Sequence, residues 1–195
     1  MAKKVLITQE RTVNTYADLG HATRCLRQTA TTVEEGSFYT EMASLLFSAF
    51  TLEAYLNHVG ELLIQYWDEI DRLSYSKKLK IITTHTNINP DASQRPYQTI
   101  KSLFRFRNSI AHGRSQILKP DPKVTDVHDN LSDYGKPTTD WEDYCNIDNV
   151  NIAIDDVEQI ITEIHKAAQL GDNPMQNLGF TSGSMSLLHK ESNEN

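Results

Sequence analysis

Hydrophobic side chains recur at helical spacing through much of the chain, and one segment is far more apolar than the rest. Residues 38–70, FYTEMASLLFSAFTLEAYLNHVGELLIQYWDEI, contain no proline and are apolar almost all round in their first half. A helix of that kind has neighbours on several sides, as the central helix of a bundle does. The pattern therefore predicts one very long central helix.

Four shorter segments repeat apolar side chains at the same spacing. They are predicted to form helices around the long one, at residues 14–31, 74–85, 96–112 and 148–171. The fold class that this indicates is all-α, an antiparallel helical bundle of about five helices. Residues 1–10 are open to two interpretations, a short strand or a loose arm.

The organisation along the chain predicts one helical domain over residues 1–171 and a tail. Within the domain, residues 115–147 hold three prolines and many Asp, Asn and Thr residues, so an irregular loop or insertion is expected there. Residues 172–195 are polar and contain Ser-Gly-Ser, which is typical of a disordered tail.

Composition narrows the class of protein. The net charge of −7 gives no overall basic field, so any contact with nucleic acid requires a local patch. The two cysteines, Cys25 and Cys145, lie far apart without metal-ligand spacing, which argues against a disulfide framework or a zinc site and favours a cytoplasmic location. Neither a signal peptide nor a run of 18 apolar residues is present, so no membrane span is expected.

The stretch FRFRNSIAHG, residues 104–113, places two arginines, an asparagine and a histidine in the last turns of a predicted helix. On a wheel of about 100° per residue, Arg105 falls on the solvent side, whereas Arg107 falls inside the apolar arc. Asn108 and His112 lie together at the edge of that arc. An inward-facing cation is costly unless it is paired, so Arg107 belongs either to a structural salt bridge or to a functional site.

An acid on the long helix bears on that choice. Glu53 shares its side of the helix with apolar residues and with Asn57, and is badly placed for solvent. A carboxylate inside one helix and a guanidinium inside another are most simply explained as a pair. In one interpretation, Glu53 and Arg107 do no more than hold the bundle together. In the other, Glu53 orients Arg107 toward a phosphate. Both can be true.

These features, in this order, resemble the HEPN superfamily. FRFRNSIAHG resembles its signature R-[NDH]-x3-H with a trailing glycine, and FTLEAYLNHVGELL resembles its long second helix. SKKLKIITTH resembles its lysine-started third helix, and IDNVNIAIDDVEQIITEI resembles its closing helix. The resemblance covers residues 14–170 or thereabouts.

The resemblance implies a four- or five-helix bundle that commonly forms a homodimer through the motif helix. Many HEPN proteins are RNA endonucleases that need no metal or cofactor and act as toxins or in antiphage defence, whereas others are non-catalytic binding modules. By resemblance, Arg107 would bind the scissile phosphate, His112 would transfer a proton at the 2′-hydroxyl or the leaving 5′-oxygen, and Asn108 would position it. The products would be a 2′,3′-cyclic phosphate and a 5′-hydroxyl.

The surroundings of the motif allow two interpretations. Lys101, Arg105 and Arg114 could form a basic patch that binds RNA, or they could be a solvated face. The first hypothesis is a HEPN ribonuclease, with an antitoxin or a nucleotidyltransferase as its candidate partner. The alternatives are a non-catalytic HEPN module that binds a partner protein or a nucleotide through the same residues, and a purely structural bundle.

Overall fold

The structure, a computed structural model, describes residues 4–122, 124 and 135–187. In chain order its elements are β1 (Val5–Arg11), α1 (Thr15–Thr32), α2 (Ser37–Leu63), α3 (Trp67–Ile70), α4 (Tyr75–His85), α5 (Tyr97–Ala111), α6 (Asp140–Tyr144), α7 (Ile147–Ala167), a 3-10 turn (Pro174–Gln176) and β2 (Thr181–Leu187). The described residues are therefore largely helical, as predicted. The structure adds one two-stranded sheet to the predicted helices, and β1 agrees with the strand interpretation of residues 1–10.

Helix α2 lies at the centre of the fold and contacts α1, α4, α5 and α7. Its fully buried residues include Leu45, Ala49, Leu52, Leu56 and Val59, which are spaced by three or four and so share one face of the helix. Their removal from water contributes apolar surface to the core, together with the buried side chains of α7. The apolar pattern that predicted a central helix thus matches the packing that the structure has.

The long helix is shorter than the sequence suggests, because α2 ends at Leu63 and a separate turn, α3, begins at Trp67. Ile64 is extended, with φ −129° and ψ 109°, and this turns the chain back on itself. The Trp67 ring then packs on Gly60, where a side chain as small as a methyl group would overlap it. The prediction of one helix through residue 70 is wrong for this reason.

Helices α5 and α7 pack against each other and are joined at the start of α5 by a buried acid. Asp156 of α7 is only 2% exposed and accepts hydrogen bonds from Arg95 Nε at 2.9 Å and Thr99 Oγ1 at 2.5 Å. Charge-assisted bonds of this kind are among the stronger ones in proteins. They fix the first turn of α5, the helix that carries the FRFRNSIAHG stretch.

Strands β1 and β2 form an antiparallel ribbon, with Val5 opposite Leu187 and Arg11 opposite Thr181. Every residue of both strands is exposed. The predicted disorder of residues 172–195 is therefore wrong for residues 174–176 and 181–187, which form the 3-10 turn and β2. Residues 188–195 lie outside the described part of the chain.

The connection between α5 and α7 also departs from expectation. Its described residues include α6, whose N-cap Thr139 forms a reciprocal capping box with Glu142. Helix α7 begins at Ile147 after the cap residue Asn146, slightly earlier than the predicted start at residue 148. Within residues 4–122, 124 and 135–187, no helix is both long and apolar enough to cross a lipid bilayer.

We expect the substitution Gly60→Ala to destabilise the protein by about 1–3 kcal/mol, the usual cost of overpacking. The added methyl group would overlap the rigid Trp67 ring, which cannot move without leaving the core. The matched control is Gly20→Ala in α1, where the methyl group overlaps the flexible end of Met175 and meets Thr51 at an ordinary van der Waals distance. Urea unfolding measures the free energy of unfolding of both variants. An equal loss of stability in the two would contradict this account of Gly60.

Two histidines lie in or beside the core. His165 Nδ1 is 3.2 Å from the Tyr55 hydroxyl, within hydrogen-bond distance. Burial lowers the pKa of His165, and a hydrogen bond with the Leu170 backbone and the charge of Asp172 oppose the shift only in part. Burial also lowers the pKa of His58, with the nearby His165 acting in the same direction and Glu61 against it. Both imidazoles are therefore held in the neutral form to lower pH than in the unfolded chain.

A pH dependence of stability follows from these pKa values. The unfolded histidines take up protons near pH 6.5, whereas the folded ones resist protonation, so the free energy of unfolding falls as the pH drops below about 6.5. The substitution His165→Gln should flatten this fall, while His85→Gln, at an exposed position of α4, should leave it unchanged. Urea midpoints between pH 7.5 and pH 5 measure the slope, and an unaltered slope in His165→Gln would contradict the assignment.

Candidate functional site

A groove of about 880 Å³ lies along α5 and is lined by α5, by the segment after it, by Tyr75 and by the start of α6. Five of the residues singled out in the sequence line it, namely Lys101, Arg105, Asn108, His112 and Arg114. All five are exposed. The structure thus brings the basic residues around the motif together on one concave surface.

The groove face of α5 is set by what the helix buries on its other side. Ile100, Leu103, Phe104 and Phe106 are at most 3% exposed and pack into the core. With that stripe inward, the residues at positions 101, 105, 108 and 112, spaced by three or four, share the outward face. Arg105, which the wheel marks as a solvent-face residue, therefore lies on the same side as His112.

Arg107 points in a different direction, toward α2. Its Nη2 donates to Glu53 Oε2 at 2.5 Å, and its Nη1 donates to Asn108 Oδ1 at 3.0 Å. The Arg107 side chain is 20% exposed and that of Glu53 30%, so the ion pair is partly shielded from water. The predicted pair between Glu53 and Arg107 is confirmed, and neither residue lines the groove.

Aromatic rings pack under Arg107. The Tyr75 and Phe104 rings stack at 3.6 Å with an interplanar angle of 13°, and the Arg107 guanidinium lies 5.2 Å from the centre of the Phe104 ring. Burial raises the pKa of Tyr75, and the positive charge of Arg107 opposes that rise. The Arg107 Nε is buried and finds no hydrogen-bond partner among the described residues. The guanidinium is thus held by Glu53, by Asn108 and by the ring below it.

Asn57 has a partner that the sequence did not suggest. Its Oδ1 accepts a hydrogen bond from Lys78 Nζ at 2.7 Å, and Lys78 is only 3% exposed. A lysine is rarely buried to this extent without a polar partner. Asn57 therefore joins α2 to α4 and does not touch Arg107 through a hydrogen bond in the described structure.

Trp141 and Tyr75 line the groove and were both missed by sequence reasoning. A signal for Trp141 exists, because Thr139 and Glu142 have the T-x-x-E spacing of a capping box and predict a helix start around the tryptophan. Nothing in the sequence places that turn beside α5, which is a tertiary contact. Asp140 also lines the groove and is an acid among its basic residues.

The groove offers three kinds of chemistry. Arginine and lysine side chains bind phosphate, arginine through a bidentate fork and lysine as a point charge. Histidine at an exposed position can accept or donate a proton near neutral pH. An indole ring can stack on a nucleobase. Among the described residues, no cluster of three or more His, Cys, Asp or Glu side chains could hold a metal ion.

Comparisons of the chain with known protein families, with curated proteins and with solved structures found no match.

We expect Arg107→Ala to lower the free energy of unfolding by about 1–3 kcal/mol, because it leaves the partly buried Glu53 carboxylate without its partner. Arg105→Ala on the same helix is the matched control and should change stability by less than about 0.5 kcal/mol. The double variant Glu53→Leu, Arg107→Met should recover most of the loss. Chemical denaturation measures all three, and equal effects of Arg107→Ala and Arg105→Ala would show that the ion pair contributes nothing.

Proposed function

We propose that the protein is a metal-independent RNA endonuclease of HEPN type that acts in the α5 groove. The observation that carries the proposal is the convergence of Lys101, Arg105, Arg114 and His112 on one groove of a chain whose net charge is −7. A local cationic groove is what an acidic protein needs to hold a polyanion. The exposed histidine in the same groove adds a group able to move protons.

In this proposal the roles of the two arginines differ from those that the resemblance implies. Arg105, which is exposed in the groove together with His112, would contact the scissile phosphate. Arg107 would be a positioning residue, since Glu53 holds its guanidinium and the guanidinium in turn holds the Asn108 amide oxygen at 3.0 Å. Asn108 lines the groove, where its amide nitrogen would donate to a phosphate oxygen or to the His112 ring.

The chemistry needs no redox partner. The 2′-oxygen attacks the adjacent phosphorus, the bond from phosphorus to the 5′-oxygen breaks, and a 2′,3′-cyclic phosphate and a 5′-hydroxyl result. One proton leaves the 2′-hydroxyl and one is delivered to the 5′-oxygen, so the proton count balances. His112 would perform one of these transfers, and His112 of a second copy, in a homodimer through α5, would perform the other.

The biological setting remains part of the proposal. A cytoplasmic toxin or antiphage ribonuclease would be held inactive by an antitoxin or a modifying nucleotidyltransferase.

The finer fold description, an antiparallel bundle of five helices in which four surround α2, belongs to the same proposal. It is supported by the contacts of α2 with α1, α4, α5 and α7.

One observation favours a second candidate, a HEPN module that binds a nucleotide or a partner protein without cleaving RNA. The arginine of the R-x4-H pattern is engaged by Glu53 and lies outside the groove, whereas His112 lies inside it. The negative charge of a carboxylate partner partly neutralises the field of a guanidinium, so the guanidinium stabilises a negatively charged transition state less. Binding through Lys101, Arg105 and Arg114 does not depend on Arg107 being free.

Cleavage of a mixed panel of RNAs by the pure protein in EDTA tests the proposal. We expect His112→Ala to lower the cleavage rate at least 100-fold, the range that general acid–base catalysis supplies. Arg105→Ala should weaken RNA binding and cleavage while the protein stays folded. The products should carry a cyclic phosphate, which end-group analysis detects.

The controls are His85→Ala on α4 and Lys166→Ala on α7, both at exposed positions that do not line the groove. Neither should alter cleavage. Binding without cleavage, lost in Arg105→Ala, would favour the non-catalytic module. Neither binding nor cleavage of any RNA would overturn the nuclease and leave a module that binds a nucleotide or a partner protein, or a structural bundle.

A further inference from the structure

Trp141 lies in the groove beside the basic residues of α5, and nothing in the proposed cleavage chemistry uses it. Its ring is half-buried and lies 6.2 Å from the Phe38 ring of α2, tilted by 48°, so the two rings are not stacked. The ring is therefore supported from the protein side without being covered by a parallel aromatic partner. It forms part of the groove surface instead.

The position of Trp141 is fixed by the turn that carries it. Thr139 Oγ1 accepts a hydrogen bond from the Glu142 amide at 3.3 Å, and Glu142 Oε2 accepts one from the Thr139 amide at 2.8 Å. The hydrogen bonds that the Thr139 amide and hydroxyl donate to this carboxylate lower the pKa of Glu142, which keeps the carboxylate charged and the reciprocal cap intact. Helix α6 also contacts α5. The ring is thus held at a fixed place relative to Lys101 and Arg105.

The other aromatic side chains of the groove are already engaged. Tyr75 and Phe104 stack on each other at 3.6 Å, and Phe104 is only 1% exposed. The stack covers one face of each ring, and the Arg107 guanidinium also lies over Phe104, 5.2 Å from its centroid, whereas Trp141 stacks on no other ring of the described residues. Trp141 is therefore the ring best placed to receive a planar ligand within the described groove.

We propose that Trp141 stacks on an unpaired base of a single RNA strand whose phosphates contact Lys101, Arg105 and Arg114. This inference rests on the proposed function and names the class of substrate. A row of cations beside an aromatic ring is the arrangement that binds single-stranded nucleic acid, because the cations follow the backbone and the ring takes a base face. In a duplex the base faces are covered by their neighbours, and an A-form major groove does not admit side chains.

The specificity of such a site is for strandedness and not for sequence. Stacking is tolerant of base identity since every base has a π-face. Asp140, the acid of the groove, lies next to Trp141 in the chain and disfavours a phosphate at that end. The base is therefore expected at the α6 side of the groove and the backbone at the α5 side.

The two tryptophans of the chain make the test direct. Trp67 is 2% exposed in the core, whereas Trp141 lines the groove, so quenching of tryptophan emission by a ligand reports on Trp141. The probe is a ten-nucleotide RNA with every 2′-hydroxyl methylated, which cannot be cleaved by 2′-oxygen attack. We expect quenching by the single strand, no quenching in Trp141→Phe, and at least tenfold weaker binding of its fully paired duplex.

Affinity is measured separately, by the anisotropy of the same RNA carrying a fluorescent label. Trp141→Ala should weaken binding of the single strand about tenfold, within the range that one stacked base contributes. The matched control is Tyr39→Ala on α2, an exposed aromatic residue that also contacts Phe38 but does not line the groove. It should change affinity less than twofold.

Three results would overturn the inference. One is binding of the single strand by Trp141→Ala within twofold of the native protein, while circular dichroism shows the variant to be folded. Another is equal affinity for strand and duplex. A third is equal quenching by adenosine monophosphate at the same concentration, which would reassign the ring to a free nucleotide.

Failure of the inference can be told apart from failure of the proposed function. If the protein binds single-stranded RNA through Trp141 but cleaves no RNA, the nuclease proposal is wrong and the stacking site stands. If RNA cleavage is lost in His112→Ala but the affinity for single-stranded RNA does not depend on Trp141, the stacking site is wrong and the nuclease proposal stands.

Discussion

Burial of Ile100, Leu103, Phe104 and Phe106 against the rest of the core fixes the rotation of α5 about its own axis. Since a helix turns about 100° per residue, that choice also decides where every polar residue of the helix points. A different rotation would place other side chains in the groove and another arginine beside Glu53. The hydrogen bonds of Asp156 to Arg95 and Thr99 hold the first turn in the same orientation.

The two arginines of FRFRNSIAHG show how the rotation of α5 gives nearby residues of one helix different contacts. Arg105 and Arg107 are two residues apart and so lie far apart around the helix. One reaches the groove that holds His112, and the other reaches the carboxylate of α2. Asn108 links the two environments, because it lines the groove while its amide oxygen is bound by Arg107. A structural pair and a ligand groove are thus adjacent parts of one helix.

Much of this could be predicted from local sequence. Periodic apolar positions identified α2 and α5, and a cation inside an apolar arc led to the pairing of Arg107 with Glu53. Two features escaped because their cause is not local. A strand is one of the two interpretations of residues 1–10, but β2 is not expected, because the ribbon buries none of its residues and leaves no apolar alternation to detect. Trp141 and Lys78 acquire their roles from contacts with other helices, which no single segment encodes.

The ribbon has a consequence for local motion. Pairing of Val5 with Leu187 closes a loop that contains all seven described α-helices, and closing a loop of that length carries an entropic cost that the strands do not offset by burying side chains. Opening of the ribbon therefore exposes little new apolar surface and leaves the helical core in place. Amide hydrogens of β1 and β2 should exchange with solvent deuterium through this separate opening, well before those of α2, whose exchange requires the core to come apart.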